Sequence, residues 1–287
     1  NTGGNIVLNG GSVTTQGDGA FGLYAFTTTA DAMLTATDTV VRTTGNSANA
    51  ADSINGKMVL NNASLITQGA GSIGARVDNA GILTISGGSI VTSGASAFGL
   101  AAVTDSVMNV ANVAIATSGV GAVGATAQLG SQLALNGGSI TTAGALAYGF
   151  YSVGVNNAAI GASITATDVR VSTEGSSAHA AYVRGGSTLG VTNSTLAVSG
   201  AGAAALASAT LDAGTSTATV VNSTLSSAQG PGILTTGTTL DLTLTNTSVK
   251  GKSAFLQVAA GGTVDLVATS STLIGAVLTD SGSVANL

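Results

Sequence analysis

The chain contains no cysteine, no tryptophan and a single proline among its 287 residues. The absence of cysteine excludes a disulfide framework and any chemistry that depends on a thiolate. Aromatic residues make up only 3 % of the sequence, so the bulky side chains that fill an ordinary globular core are missing. Charged residues are also scarce, at 7 %, whereas 44 % of residues are hydrophobic, which excludes a disordered chain.

Basic residues are too few and too scattered to form an extended positive surface. Twelve acidic residues against seven basic ones give a net charge of −5, without runs of either sign. Because the phosphates of nucleic acid require a basic surface, we expect no nucleic-acid partner. No apolar run reaches the roughly 20 residues of a membrane span, and no segment has the pattern of a signal peptide.

What the chain does contain is a repeated phrase that ends in glycine. Ile90-Val91-Thr92-Ser93-Gly94 returns as Ile140-Thr141-Thr142-Ala143-Gly144. The glycines that end these phrases, the anchor glycines, follow one another at intervals of 24 to 31 residues: Gly17, Gly45, Gly69, Gly94, Gly119, Gly144, Gly175, Gly200 and Gly230. A repeat of this length, with turns of small residues, predicts stacked coils in which each repeat buries its apolar face against its neighbours.

Residues alternate in character before each anchor glycine. The fourth position back is aliphatic, as in Ile90 and Ile140, and the second is usually threonine, as in Thr92 and Thr142, whereas the position between them varies. A period of two predicts a half-buried strand whose aliphatic and threonine side chains point inward. We expect the inward threonine hydroxyls to form hydrogen bonds along the stack. Asn-Gly corners and two further strands in each repeat predict an all-β fold, a parallel β-helix of about eleven coils of roughly 25 residues each.

These phrases resemble the passenger domain of pertactin-like autotransporters, as in the coil from Ile90 to Ala102 and the Asn-Ser-Thr-Leu phrases at Asn193 and Asn222. The resemblance, together with the handedness of parallel crossovers, implies a right-handed single-stranded solenoid. It also implies that residues 1–287 are a passenger fragment without the signal peptide, the C-terminal folding core or the translocator barrel. In the full-length protein that outer-membrane barrel would be the chain's own partner. Type V secretion would place the passenger at the cell surface of a Gram-negative bacterium, anchored at the outer membrane, or release it.

No residues in the sequence have the spacing of a catalytic or metal site. His179 is the only histidine, and we expect it to be a solvated side chain, because its position in the repeat accepts aromatic, amide and aliphatic residues alike. The setting that a serine nucleophile requires is absent. Eleven aspartates and one glutamate are spread along the chain, and Asp38 and Asp168 are expected to cap corners. We therefore predict no catalytic residue, no cofactor and no metal.

Aromatic residues concentrate in two positions after the anchor glycine. A candidate surface-binding stripe consists of Phe21, Tyr24, Phe98, Tyr148, Tyr151, His179 and Tyr182, mixed with Asp52 and Arg76. Exposed aromatic side chains on a rigid rod suit contacts with proteins or glycans.

Two other functions remain open beside the one we expect. We expect a non-catalytic adhesin or virulence protein whose partner is a host protein or glycan receptor, with a host serum regulator as the kind of partner that the family resemblance implies. The alternatives are a structural stalk that presents another domain, and an enzyme that acts on polysaccharide. The enzyme would need clustered carboxylates, which the sequence does not group together.

Overall fold

The computed structural model describes residues 4–27, 33–154, 161–209 and 214–287. All regular structure in these residues is β-strand. Within the same ranges no helix is long and apolar enough to cross a membrane. The prediction of an all-β chain is confirmed.

The described residues contain thirty-two strands. In chain order the first sixteen are β1 (Asn5–Asn9), β2 (Ser12–Thr15), β3 (Leu23–Phe26), β4 (Met33–Thr37), β5 (Val40–Thr43), β6 (Ala51–Ile54), β7 (Lys57–Asn61), β8 (Ser64–Thr67), β9 (Ala75–Asp78), β10 (Ile82–Ser86), β11 (Ser89–Thr92), β12 (Leu100–Ala102), β13 (Val107–Thr117), β14 (Ala125–Gln128), β15 (Gln132–Thr142) and β16 (Phe150–Val153). The other sixteen are β17 (Ser163–Thr167), β18 (Arg170–Thr173), β19 (Ala181–Arg184), β20 (Thr188–Thr192), β21 (Thr195–Val198), β22 (Leu206–Ala209), β23 (Thr215–Val221), β24 (Thr224–Ser227), β25 (Ile233–Thr236), β26 (Thr239–Thr245), β27 (Ser248–Gly251), β28 (Leu256–Ala259), β29 (Thr263–Thr269), β30 (Thr272–Ile274), β31 (Val277–Thr279) and β32 (Val284–Asn286).

Each coil places three strand positions around the core, here called a, b and c. In the first coil they are β1, β2 and β3, and in β13 and β15 the a and b positions join into one bent strand. Every strand pairs in parallel with its equivalent one coil away, so the c-strands form an 11-stranded sheet and the a- and b-strands a 21-stranded one. We number the coils by their c-strands, from β3 in coil 1 to β31 in coil 11. The predicted β-helix of about eleven coils is confirmed.

The core is a continuous apolar column that runs through the coils. Ile140 is only 1 % exposed and lies in register with the buried Ile115 and Val171 of the neighbouring coils. Thr141, the next residue, points outward and is exposed. The inward aliphatic and threonine columns and the outward column between them are thus confirmed.

The inward threonines make a different hydrogen bond from the one that we expected. Thr142 Oγ1 donates to the carbonyl oxygen of Ala147 at 2.6 Å, five residues ahead in the same coil. The same bridge recurs at Thr15, Thr43, Thr67, Thr92, Thr117 and Thr173. The expectation of bonds along the stack was wrong, because the chain turns at the anchor glycine and brings a carbonyl of its own coil closer. Each hydroxyl therefore closes the corner after its b-strand.

The corner between the a- and b-strands requires a residue in the left-handed backbone region. Asn193, Asn222 and Asn246 hold this position in three successive coils, with φ of 50°, 49° and 49°. Asp38 and Asp168 occupy it elsewhere, also at positive φ, which agrees with their predicted corner role. Asparagine and aspartate tolerate this region better than most residues with a side chain. The amide of Asn246 also donates to Oδ1 of Asn222 at 2.9 Å, which joins adjacent corners.

The anchor glycines are explained by close contact between coils. A Cβ atom built on Gly119 would lie 1.9 Å from the carbonyl oxygen of Gly94, and one built on Gly144 would lie 1.9 Å from that of Gly119. The same approach recurs at Gly45, Gly69, Gly94, Gly175 and Gly200. No side chain fits at such a distance, so glycine recurs in the sequence at the positions where the backbones of successive coils are in contact.

Candidate surface-binding site

The predicted aromatic stripe divides into two clusters and one isolated ring. Phe21 and Tyr24 lie in coil 1, Phe98 in coil 4, Tyr148 and Tyr151 in coil 6, and His179 and Tyr182 in coil 7. All seven lie at the corner before a c-strand or on the outer face of that strand. The structure brings together the residues of coils 6 and 7 and separates them from coil 1 by five coil steps, about 24 Å at the usual spacing of strands. Phe98 is half-buried and contacts no other ring of the described residues.

The coil 1 cluster is small and contains a residue that sequence reasoning missed. The ring centroids of Phe21 and Tyr24 are 5.3 Å apart, and Phe26 stacks on Tyr24 at 6.2 Å. Tyr24 is the most exposed ring of the predicted set, at 38 %. Alternation along β3 places Phe26 on the same face as Tyr24, so the period of two contained the signal for it.

The second cluster, here called the tyrosine cluster, consists of Tyr148, Tyr151, His179, Tyr182 and Arg184. Tyr148 and Tyr182 are almost parallel, with centroids 4.9 Å apart and planes inclined by 8°. His179 lies 5.5 Å from Tyr148 and 5.7 Å from Tyr182, inclined by 17° and 25°. Tyr151 is tilted against both tyrosines, at 5.5 Å from each. Stacked and tilted rings at these separations attract one another, so adjacent coils hold the four rings in a fixed arrangement.

Arg184 completes the tyrosine cluster and was also missed. Its guanidinium carbon lies 5.5 Å from the centroid of the Tyr151 ring, a cation–π contact. Arg184 follows Tyr182 by two residues on β19, so strand alternation again places the two side chains on one outer face. Its side chain is half-buried, and its Nε atom is buried without a hydrogen-bond partner among the described residues.

His179 is buried, contrary to the expectation of a solvated side chain. Only 7 % of it is exposed, and its Nδ1 accepts a hydrogen bond from the backbone N–H of Ala204 in the next coil at 2.9 Å. Burial lowers the pKa of the imidazole to about 4, so the ring is neutral at pH 7 and carries its hydrogen on Nε2. Asn49 does the same in coil 2, where its Oδ1 accepts from the N–H of Ile73 at 2.8 Å. Polar residues at this corner therefore bind the backbone of the following coil.

The buried histidine predicts a specific acid sensitivity. Below pH 6.5 the unfolded chain takes up a proton at this residue and the folded chain does not, so the free energy of unfolding falls as the pH drops from 6.5 towards 4. The displacement of this pKa to about 4 corresponds to about 3 kcal/mol. Urea titrations at a series of pH values measure this loss.

Replacing His179 with asparagine provides the control, because Asn49 shows that an asparagine at this position accepts the same kind of hydrogen bond. The His179→Asn protein should lose less stability than the unaltered chain between pH 6.5 and 4. Parallel stability curves for the two proteins would show that the histidine is not held neutral by the fold.

The hydroxyls of Tyr148 and Tyr182 stay protonated well above neutral pH. Burial raises the pKa of Tyr182 to about 12, although the charge of Arg184 and its hydrogen bond oppose that rise. Burial likewise raises the pKa of Tyr148, which Arg184 opposes. Both phenols therefore keep their hydrogen at physiological pH, and the hydroxyl of Tyr182 donates it to the carbonyl oxygen of Ala209 at 3.5 Å.

The coils between the two clusters carry a network of charged side chains, not the continuation of an exposed surface stripe. Asp52 was expected among the surface residues of the stripe, but its side chain is fully buried. Asn49 Nδ2 donates to it at 2.9 Å and Arg76 pairs with it at 3.4 Å, while Arg76 also pairs with Asp78. Burial raises the pKa of Asp52, against the lowering by Asn49 and Arg76. This carboxylate is satisfied by its neighbours and supports the c-strand face.

A separate groove of about 470 Å³ crosses the outer face of the a-strands in coils 4 to 7. Asn109, Ala134, Asn136 and Thr165 are among the residues that line it, and none of its lining residues carries a charge. Within the described residues no three His, Cys, Asp or Glu side chains are placed to hold a metal ion. Neither the groove nor the tyrosine cluster therefore presents paired carboxylates.

Comparison with known proteins gives structural likeness without close sequence relatives. No protein-family model and no curated protein matches the chain. Among solved structures, the chain is similar to the autotransporter passenger Vag8 in its complex with C1 inhibitor, with 16 % identity, coverage of 99 % of this chain and 88 % of Vag8, and a TM-score of 0.61. It is also similar to the A-module of the mannuronan C-5 epimerase AlgE6 of Azotobacter vinelandii, with 13 % identity, coverage of 99 % and 91 %, and a TM-score of 0.45. The likeness to Vag8 confirms the β-solenoid fold.

Proposed function

We propose that this chain is a passenger domain of an autotransporter of a Gram-negative bacterium, displayed at the cell surface or released from it, and that it binds a host protein without catalysis. The repeat phrases and the fold shared with Vag8 support the passenger assignment. Anchoring at the outer membrane by a C-terminal barrel follows from the same assignment. The observation that carries the binding function is the tyrosine cluster of coils 6 and 7.

The composition of the cluster favours recognition of a protein. Tyrosine and arginine are enriched among the residues that dominate binding energy at protein interfaces. Here three tyrosines and one arginine lie on one face of two adjacent coils, and ring contacts hold them in place. Rings that are already ordered lose little conformational entropy when a partner binds.

The experiment is a binding assay of the chain against host serum proteins, and C1 inhibitor is the first to test because Vag8 was solved in complex with it. Tyr148→Val and Tyr182→Ala, made together, should weaken binding by at least about 2 kcal/mol, as loss of central interface residues does. The substitutions copy residues that the fold already accepts at these positions: Val123 is the equivalent of Tyr148 in the preceding coil, and Ala207 is in register with Tyr182.

The matched control is Tyr24→Thr in coil 1, which copies Thr126 from the same outward column of the c-strands. It removes the most exposed ring and leaves the tyrosine cluster intact, so binding should persist. If neither variant alters the binding of any host protein that the chain retains, the cluster is not the binding site. If the unaltered chain retains no host protein, the stalk that presents another domain becomes the better account.

The third possibility, an enzyme that acts on polysaccharide, is less well supported than the host-binding protein or the structural stalk. Lyases and glycosidases of this architecture need carboxylates close together for calcium binding or for acid and base catalysis. The groove on the a-strand face has none, and Asp52 is fully paired and buried.

A further inference from the structure

We propose that Arg184, held among the rings of the tyrosine cluster, binds the carboxylate of an aspartate or glutamate side chain on the protein partner. The inference rests on the proposed function, since it assigns the chemical character of the partner's contact at the tyrosine cluster. The starting observation is that the positive charge of Arg184 is not balanced by an acidic side chain of the described residues.

Arg184 has no acidic partner in the described residues. Both ion pairs of those residues belong to Arg76, which Asp52 and Asp78 neutralise. The nearest recorded partners of Arg184 are aromatic, namely the ring of Tyr151 and the hydroxyl of Tyr182. Its Nε is buried without a hydrogen-bond partner among the described residues, so the terminal Nη1 and Nη2 groups are the donors that a ligand from solvent would meet. A bound carboxylate would supply the missing negative charge.

The aromatic neighbours prepare the arginine for that contact. The guanidinium carbon lies 5.5 Å from the centroid of the Tyr151 ring, and this cation–π contact holds the side chain beside the cluster before a ligand binds. A guanidinium can bind a carboxylate with two parallel hydrogen bonds. The side chain is only half-buried, so a ligand can approach it from solvent. The hydroxyl of Tyr182 donates to the carbonyl oxygen of Ala209 at 3.5 Å, so the guanidinium is the donor that the cluster offers to a carboxylate.

The same geometry favours a protein over a glycan. Sugar rings bind aromatic side chains by lying against an open ring face. In the tyrosine cluster, Tyr148, Tyr182 and His179 turn ring faces towards one another, and the guanidinium of Arg184 lies over Tyr151. The cluster therefore offers hydroxyl groups, ring edges and one cation, which match an acidic side chain.

The test uses nuclear magnetic resonance of the ¹⁵N-labelled chain, with the Nε–Hε signal of Arg184 as the reporter. A buried Nε–Hε exchanges slowly with water, so its signal is observable. The probe is the peptide acetyl-Gly-Glu-Gly-Glu-Gly-amide, and the matched peptide with glutamine in place of both glutamates is its neutral control. We expect a saturable shift of the Arg184 signal with the glutamate peptide and none with the glutamine peptide.

Two variants separate a specific site from general attraction of charge. Because Arg184→Gln removes the side-chain reporter, the backbone amides of Tyr151 and Tyr182 are followed as well; Arg184→Gln should abolish their shifts with the glutamate peptide. Arg170→Gln should leave those shifts and the Arg184 signal unchanged, because Arg170 is exposed and lies on the b-strand of the same coil. An equal loss in both variants would overturn the proposal. A shift produced by sialyllactose and not by the glutamate peptide would also overturn it, since the site would then recognise an acidic glycan.

This experiment is independent of any host protein. If the glutamate peptide leaves Arg184 unaffected while Tyr148→Val with Tyr182→Ala still abolishes binding of a serum protein, the carboxylate assignment is wrong and the proposed function stands. If the peptide binds at Arg184 but the chain captures no host protein, the assignment stands and the proposed function is wrong. Thermal unfolding of each variant checks that the fold is retained.

Discussion

Replacing Gly119 with alanine should destabilise the solenoid by about 3 kcal/mol or more, at the upper end of what overpacking costs. The added Cβ would lie 1.9 Å from the carbonyl oxygen of Gly94 and 2.5 Å from its carbonyl carbon. Both obstacles are backbone atoms of the preceding coil, so no change of rotamer relieves the clash. Coils 4 and 5 must instead move apart, which weakens the parallel hydrogen bonds between them. Urea unfolding monitored by circular dichroism measures the loss.

Gly190→Ala is the matched control for this prediction. Gly190 lies on the outer face of β20, and a Cβ there would meet only Cγ2 of Thr165, at the ordinary contact distance of 3.6 Å. Its φ is not in the positive range, so alanine adopts the same backbone and should be neutral or stabilise the protein by up to about 1 kcal/mol. Similar losses in the two proteins would mean that the anchor glycines are not required by the contact between coils.

The anchor glycines show why so much of this fold was predictable from sequence. In a solenoid the tertiary contacts of one coil are repeated by the next, so a requirement at one position recurs at a fixed interval. Glycine at each close approach and alternation at each b-strand are therefore visible as columns without any alignment of homologues. The alternation of Ile140 and Thr141 fixed which side chain faces the core, because successive residues of a strand point to opposite faces.

Comparing equivalent positions in different coils gave a wrong prediction for a side chain whose contacts are not repeated from coil to coil. The corner position of His179 holds a phenylalanine, an asparagine, a valine or a tyrosine in other coils. We took this variety as a sign of solvent exposure. The structure shows instead that the contacts of this position differ between coils, since Asn49 binds Asp52 and the N–H of Ile73, whereas His179 packs beside Tyr148 and Tyr182. Variation along a column thus reflects changing partners rather than exposure.

Residues missed at the candidate site fall into two groups. Arg184 and Phe26 each lie two residues beyond a predicted tyrosine on the same strand, so alternation alone could have included them. The division of the aromatic stripe into two clusters could not have been found this way. It depends on which adjacent coils both carry rings, and on the ion pairs of Arg76 with the buried Asp52 and the partly exposed Asp78 in the coils between them.

Ile140→Ala should cost about 2–5 kcal/mol of unfolding free energy, and Thr141→Ala less than about 0.5 kcal/mol. Ile140 is 1 % exposed and packs in register with Ile115 and Val171, so its truncation leaves a cavity in the middle of the core. Thr141 points into solvent, and its side chain has no recorded hydrogen-bond partner in the described residues to lose. Equal costs at the two positions would mean that the assignment of inward and outward faces is wrong.

The cavity should also act locally, because each coil is stabilised by its own residues and by the two interfaces that it shares with its neighbours. Amide hydrogen exchange of the Ile140→Ala protein should therefore show the greatest loss of protection in β13, β15 and β18, which pair around the altered position. Strands four or more coils away, such as β5 and β27, should keep the protection that they have in the unaltered chain. A uniform loss along the rod would show that the solenoid unfolds as one cooperative unit, in which case Gly119→Ala would be expected to weaken distant coils as strongly as coils 4 and 5.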